Sequence, residues 1–525
     1  MSFDAIVIGS GFGGAITACR LAEAGYRVLI LERGRRWDKT SYPRAPDDPW
    51  TWNDAHPERE NGWLDLRCFP HMTVAQGAAV GGGSLIYANI SCEAPPDVFA
   101  AGWPAEITYA ELKPHYDAVA SFMNVQKVPS SQWTSRTKLM KEAADATGHG
   151  DRFRPLELAV SFDPEWSYEL DDPHDARRSK RFVNAQGVEQ GTCVHLGNCD
   201  IGCDVDARNT LDLNYIPRAE QKGAEVRPLH IVTNIEPVDG GGYDVFYDEL
   251  KGGRRVPGRE RARLVLVSAG SLGSTELLLR CRDVTRSLPG ISPRLGHDWS
   301  SNGDFLTPAL HIGKPLSPTR GPTISSAIDF LDRSQGGESF WIEDGGFPDL
   351  LADYGRRCAE KPANGLRARL LIDSFRTLLG GPDSFQGVMP WFAQAVDAAN
   401  GQLRLKQVGG RHSLDLAWDV AQSRRAVEEV VKMHLRLAAA TGGIPMVPPA
   451  WFFAHDLITP HPLGGCNMGS DSTRGVVDHR GEVFGYRNLY VADGAIIPEA
   501  LGVNPSRTIG ALAERIAGLI VAEGR

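Results

Sequence analysis

An α/β fold is predicted, with a Rossmann-like nucleotide-binding domain assembled from discontinuous segments and an inserted α+β domain that carries an antiparallel sheet. Three observations predict it. A strand, glycine turn and helix open the chain; the same arrangement recurs from Leu264 to Leu279; and a short apolar strand, Tyr490 to Ala492, precedes a closing helix, while the intervening stretches mix helical and alternating patterns. At 525 residues the chain is long enough for two domains with ample cores. A net charge of -9 without any basic run argues against a nucleic-acid partner. No apolar run approaches the ~18 residues that span a bilayer, so no transmembrane helix is expected. The first strand begins within a few residues of Met1, leaving no room for a signal peptide, and the expected location is cytoplasmic.

The opening unit reads as a complete βαβ element. Ala5 to Ile8 is an apolar strand, Gly9-Ser10-Gly11-Phe12-Gly13-Gly14 a tight turn, and Ala15 to Ala24 a helix whose free N–H groups point back at that turn. Gly9, Gly11 and Gly14 fit the dinucleotide pattern: one permits the turn, one lets backbone approach a pyrophosphate, and one lets helix and strand pack closely. Arg27 to Leu31 is a second strand ending in Glu32, placed to take hydrogen bonds from an adenosine ribose, with Arg33 beside it. A free ribose carboxylate favours FAD or NAD over NADP.

From Arg33 to about Phe69 the chain is rich in Trp, Pro, Asp and Arg without sustained periodicity, the pattern of a lid, a ligand wrap or a surface loop. Gln76 to Asn89 follows, and its three consecutive glycines, Gly81, Gly82 and Gly83, strip a short arc of backbone of every Cβ. Backbone that bare suits close approach to a flat ring or a diphosphate.

The opening unit together with Val80-Gly81-Gly82-Gly83-Ser84-Leu85 resembles the glucose–methanol–choline family of FAD-dependent oxidoreductases, and within it the cholesterol-oxidase branch. The order of segments matches from end to end. The resemblance implies FAD, held non-covalently. It puts the cofactor domain in 1–94, 205–304 and 450–525 and the substrate domain in 95–204 and 305–449. It implies cofactor contacts from Gly82, Gly83, Ser84, Tyr87, Ala88 and Asn89, from the backbone of Val232 at the adenine, and from Ala269 and Gly270 beside the adenosine half. Asn302-Gly303-Asp304 marks the exit into the second domain. One departure is Tyr87, which stands where the branch places an asparagine. A second is Gln386 to Gln394, the stretch matching the glutamate that isomerises the double bond in cholesterol oxidases, which contains no carboxylate. His71 lies upstream of the glycine run, near where some members attach flavin covalently, but at an unconvincing spacing.

The chemistry falls in the C-terminal segment. His461-Pro462-Leu463-Gly464-Gly465, Asp493-Gly494 and Asn504-Pro505-Ser506 are its motifs, and Pro505 and Ser506 open a helix whose N-terminus favours the negative charge that builds on reduced flavin. By the resemblance His461 and Asn504 are the catalytic pair. Oxidising an alcohol requires removal of the hydroxyl proton while hydride leaves for flavin N5. An imidazole of pKa about 6.5 accepts that proton at neutral pH, and an amide holds the oxygen in line. The implied partners are an alcohol, a sterol or another bulky or long-chain one, and O2 or another electron acceptor. Two rivals keep the fold: a non-oxidative lyase or decarboxylase, and a non-catalytic flavin electron carrier.

The remaining stretches complete the expectation. Tyr109 to Met123 and Thr210 to Gly223 read as helices, Ala224 to Val232 as a strand, and Gly401 to Leu405 with His412 to Leu416 as a hairpin suited to roof the flavin. Ser423 to Ala440 is a helix with His434 on its core stripe. Leu366 to Leu379 is apolar and basic, fitting either a lid helix or contact with a membrane surface. Cys193, Cys199 and Cys203 cluster around His195, but their spacing matches no common metal-ligand pattern, so no metal is assigned.

Overall fold

The computed structural model describes residues 3–45, 47–350 and 384–524, so the Leu366 to Leu379 stretch lies outside the described residues. Its centre is a seven-stranded sheet. Phe3–Ile8 runs parallel to Val28–Leu31 on one side and to the end of Arg254–Val267 on the other, with Ala5 paired to Val28 and to Leu264. These strands are continuously apolar because both faces are covered. Arg254–Val267 changes character along its length. Its charged first half pairs antiparallel with Tyr243–Lys251, and its apolar end pairs parallel with Leu489–Val491.

The helices Phe12–Glu23 and Ser506–Ala522, from opposite ends of the chain, pack on one another. Arg20 Nε donates to Glu514 Oε2 at 2.7 Å and the Tyr215 hydroxyl donates to Glu514 Oε1 at 2.8 Å, so one partly buried carboxylate ties three helices together.

A second sheet of six strands is antiparallel throughout, in the order Ile444–Pro445, Phe305–Leu310, Val388–Ala395, Glu338–Asp344, Ser326–Gln335, Phe153–Pro155. Helix Arg424–Ala440 covers it, burying Val427, Val430, His434 and Ala438 at the expected spacing. The His434 ring is wholly buried, with Nδ1 2.9 Å from Thr307 Oγ1, as a core histidine should be.

Three expected elements differ. The hairpin forms as Gln402–Val408 and Arg411–Ala417, but as a two-stranded sheet of its own; its turn end, Gly410 to Ser413, lines the central cavity. The helix expected over Thr210 to Gly223 is confined to Tyr215–Gln221, because Pro217 lacks the N–H an earlier start would need and the Asn214 side chain caps the helix at 2.6 Å from Tyr215 N. The strand expected over Ala224 to Val232 divides into Glu225–Arg227 and His230–Pro237, separated by Pro228 and by Leu229 at a left-handed φ of 61°.

Candidate active site

A cavity of about 1560 Å³ lies outside the carboxyl ends of the parallel strands and reaches the second sheet. That is where open α/β sheets bind ligands. Its floor comes from the two glycine runs, and their glycines do different work. A Cβ on Gly13 would sit 1.5 Å from Ala492 O, and on Gly14 2.1 Å from Gly9 O, so both are required by packing. A Cβ on Gly11 would meet nothing nearer than Gly82 Cα at 4.0 Å, and on Gly83 nothing within 4 Å. This bare backbone faces the cavity, and helix Phe12–Glu23 begins there without a side-chain cap, leaving its first N–H groups for an anion. The residues fit a dinucleotide pyrophosphate.

Glu32 lines the cavity, but its carboxylate is already engaged. Oε2 accepts from Ser10 N at 2.9 Å and Ser10 Oγ at 2.7 Å, and Oε1 accepts from Gly34 N at 2.9 Å. It therefore braces the first turn while Oε1 keeps one acceptor site for a ribose. Arg33 pairs with Asp65 at 2.8 Å and lies over the Trp52 ring. Ser10, Phe12, Gly82, Tyr87, Ala88, Val232, Ala269, Gly270, Gly494, Pro505 and Ser506 also line the cavity. The Tyr87 hydroxyl donates to Asn209 O at 3.3 Å. Asp493 accepts from Gly270 N at 2.8 Å, Ser274 Oγ at 2.5 Å and Ala495 N at 2.8 Å; burial pushes its carboxyl up to about 6 against these donors.

Gly14, Ser84 and Asn89 stand behind the lining. Ser84 Oγ donates to Gly81 O at 2.8 Å and accepts from Leu211 N at 3.1 Å, locking the second glycine turn. Asn89 is wholly buried at a left-handed φ of 64°. His71 also stands apart, with Nδ1 2.8 Å from Ala454 O and 3.2 Å from Asp456 Oδ1.

His461 and Asn504 both line the cavity. His461 Nδ1 lies 2.8 Å from Asp304 Oδ1 and 3.0 Å from Oδ2. An acceptor there puts the imidazole proton on Nδ1 and leaves the Nε2 lone pair free. Thr459 Oγ1 donates to Asp304 Oδ2 at 2.5 Å and accepts from His461 N at 2.8 Å, so one hydroxyl fixes both partners. Burial raises the Asp304 carboxyl above its ordinary range, opposed by the His461 imidazole and the Thr459 hydroxyl.

Asn302 joins this group to Asn504. Its Oδ1 accepts from Leu501 N at 2.9 Å and Gly502 N at 3.0 Å, and its Nδ2 donates to Val503 O at 2.9 Å. The exit turn itself is pinned by Asp397, which accepts from Ser300 Oγ at 2.7 Å and from Ser301 N and Oγ, both at 2.8 Å.

Glu343 lies among the same groups and carries no sequence signal. It pairs across the second sheet with Phe392, whose ring centroid is 6.3 Å from that of His461. Gln394 Nε2 donates to Glu343 Oε2 at 3.1 Å, and Trp341 Nε1 donates to Gln394 Oε1. Burial pushes the Glu343 carboxyl well above its ordinary range, with the Gln394 and Asn504 amides opposing, and Oε1 has no hydrogen-bond partner among the described residues. Burial thus favours its protonated form.

Cys193, Cys199 and Cys203 are free thiols whose protons burial holds on. No group of three or more His, Cys, Asp or Glu among the described residues has the geometry to hold a metal. His195 is stacked on Trp166 at 4.0 Å, its Nδ1 2.7 Å from the Tyr168 hydroxyl. No helix among the described residues is long and apolar enough to cross a membrane.

Comparison with known proteins matches residues 397–513 to the GMC oxidoreductase family and residues 7–37 to an NAD(P)-binding Rossmann-like domain. The chain is 32% identical to a cholesterol oxidase of Acinetobacter baumannii over 99% of its own length and 95% of that protein. It is 30% identical to a cholesterol oxidase of Mycobacterium tuberculosis, over 98% and 91% respectively. The fold matches a solved FAD-dependent oxidoreductase from Chaetomium thermophilum over the whole of both chains, at a TM-score of 0.64 and 14% identity.

Proposed function

The chain belongs to the glucose–methanol–choline (GMC) oxidoreductase family, in its cholesterol-oxidase-like branch, and from that premise we propose that it oxidises an alcohol to a carbonyl compound, with His461 as base and Asn504 holding the substrate oxygen. Membership makes it an oxidoreductase that binds FAD. The observation that carries the finer reading is the His461 imidazole on the cavity wall, its Nδ1 engaged by the buried Asp304.

Bound FAD supplies the acceptor for the hydride of the carbinol carbon. The bare backbone of Gly11 and Gly83, the Glu32 carboxylate, the Val232 backbone and the N-terminus of helix Ser506–Ala522 are the groups that would hold it. Non-covalent attachment is supported by His71, which is engaged elsewhere and stands outside the cavity lining. His461 Nε2 takes the hydroxyl proton, and Asp304 stabilises the imidazolium so formed. The Asn504 amide orients the substrate oxygen, and the apolar side chains of Ile324, Phe347 and Phe392 exclude water from it.

That apolar lining, together with relatives named cholesterol oxidases, supports a sterol or another bulky or long-chain alcohol as substrate. The test is anaerobic mixing of the holoprotein with sterols, long-chain alcohols, aryl alcohols and sugars while flavin absorbance is followed. Bleaching by one class names the substrate class, and admitting air then shows whether O2 is the acceptor. Bleaching by none of them would overturn alcohol oxidation.

A further inference from the structure

One carboxyl stands in the otherwise apolar end of the cavity. Asp200, on the short turn Cys199–Ile201, lines the cavity beside Thr323. Its surroundings are fixed. Arg136 donates to Pro322 O and Gly345 O, both at 2.9 Å, and Gly345 N donates to Pro390 O at 2.8 Å, so Thr323, Gly345, Phe347 and Pro390 form one wall that continues along the strand to Phe392 and His461.

Within this wall Asp200 is poorly satisfied. Its one hydrogen bond among the described residues is a long one, 3.4 Å, from the Thr323 hydroxyl to Oδ2. Arg136 and Arg208 lie within electrostatic reach, but among the described residues the hydrogen bonds their guanidinium groups make go to backbone carbonyls and none to Asp200. Burial pushes the Asp200 carboxyl up to about 7, against those two cations and the Thr323 hydroxyl. A half-buried carboxyl with spare hydrogen-bonding capacity on the cavity wall is placed to pair with a polar group of a ligand.

We propose that Asp200 binds a second hydroxyl of the substrate, remote from the one oxidised, so that the preferred substrate is an alcohol with an apolar body and a polar group at each end. The inference rests on the alcohol-oxidation reading for the reacting end and deepens it at the other. The chemistry selects a hydroxyl over an ammonium, because the two nearby guanidinium groups disfavour a further cation. From Phe392 to Pro390 and across to Gly345 is a path on the order of 10 Å, taking strand rise and inter-strand spacing together. The ligand therefore needs a medium-length or rigid apolar spacer.

The test compares n-decanol, its terminal diol and the matching terminal amino alcohol on the wild-type holoprotein and on the Asp200→Leu and Asp200→Asn variants. Two readouts are taken: the anaerobic rate of flavin bleaching, and direct binding followed as a ligand-induced shift of the flavin spectrum. The expected result is a preference for the diol over decanol of about tenfold or more in the wild type. Asp200→Leu should abolish that preference, Asp200→Asn should keep part of it, and the amino alcohol should gain nothing over decanol. Equal handling of diol and decanol by the wild type overturns the proposal, as does a preference that survives Asp200→Leu. If Asp200→Leu does not fold, the wild-type comparison and Asp200→Asn decide. If no alcohol bleaches the flavin, alcohol oxidation fails, while the binding readout still decides the role of Asp200.

Discussion

In the proposed mechanism His461 is the base, acting through the nitrogen that Asp304 leaves free, and Asp304 is its support, so the two residues divide one task. His461→Ala removes the base, and anaerobic flavin reduction by the substrate should fall by about 10²–10⁴-fold with flavin still bound. Asp304→Asn keeps the shape but loses the negative charge that fixes the tautomer and stabilises the imidazolium; the rate should fall by a comparable factor, again with flavin content unchanged. A rate unaffected by either substitution would remove His461 from the role of base. Glycines divide in the same fashion. Gly13→Ala drives a methyl into Ala492 O and should prevent folding, whereas Gly83→Ala meets no protein atom and should leave a folded protein with weakened FAD affinity, measured by flavin titration of stripped protein. The motif indicated a turn glycine, an open one and a packing one, and Gly9, Gly11 and Gly14 fill those roles; it did not reveal Gly13, whose constraint comes from Ala492, nearly five hundred residues later.

Between elements, the proposed catalytic groups are connected by side chains that satisfy backbone. Asn302 covers two N–H groups and one carbonyl of the 501–503 segment, so Asn302→Ala leaves three buried polar groups unpaired. It should cost about 2–5 kcal/mol of stability by denaturant titration, and it should impair the substrate more than the flavin because Asn504 is displaced. Glu343 gives a pH signature. Its folded pKa lies well above the unfolded value, so the folded state retains a proton that the unfolded state releases. The resulting stability is complete below the unfolded pKa near 4.3 and is lost as pH rises towards the folded value. Glu343→Gln removes that dependence; wild type should lose stability relative to it between acidic and neutral pH, and parallel pH profiles would contradict a neutral buried acid. The parallel strands were legible because a strand covered on both faces is apolar throughout. The roof was not. Its strands find one another across long separations, and the one hairpin the pattern revealed, around Gly409 and Gly410, reaches the cavity from a sheet of its own. Glu343 and Gln394 become neighbours only through that long-range register.

Across the whole molecule, the cavity is walled by both sheets, with the two glycine runs on one side and Phe392, Pro390 and His461 on the other. A ligand filling it touches segments from the first strand to the last helix, and the unfolded chain has no such site. Occupancy must therefore stabilise everything at once. Flavin-stripped protein titrated with FAD should melt at progressively higher temperature, gaining about 2.7 kcal/mol when free FAD reaches a hundred times its Kd. The shared core gives a sharper expectation. Glu514 binds Arg20 and Tyr215, and Leu489–Val491 completes the sheet begun by Phe3–Ile8, so neither end of the chain can leave without exposing the centre. Flavin release, followed by its fluorescence, and loss of secondary structure, followed by circular dichroism, should then coincide in one transition. Flavin lost in an earlier, separate step would mean instead that the second sheet opens on its own, and that the cavity is gated by that sheet and not by the fold as a whole.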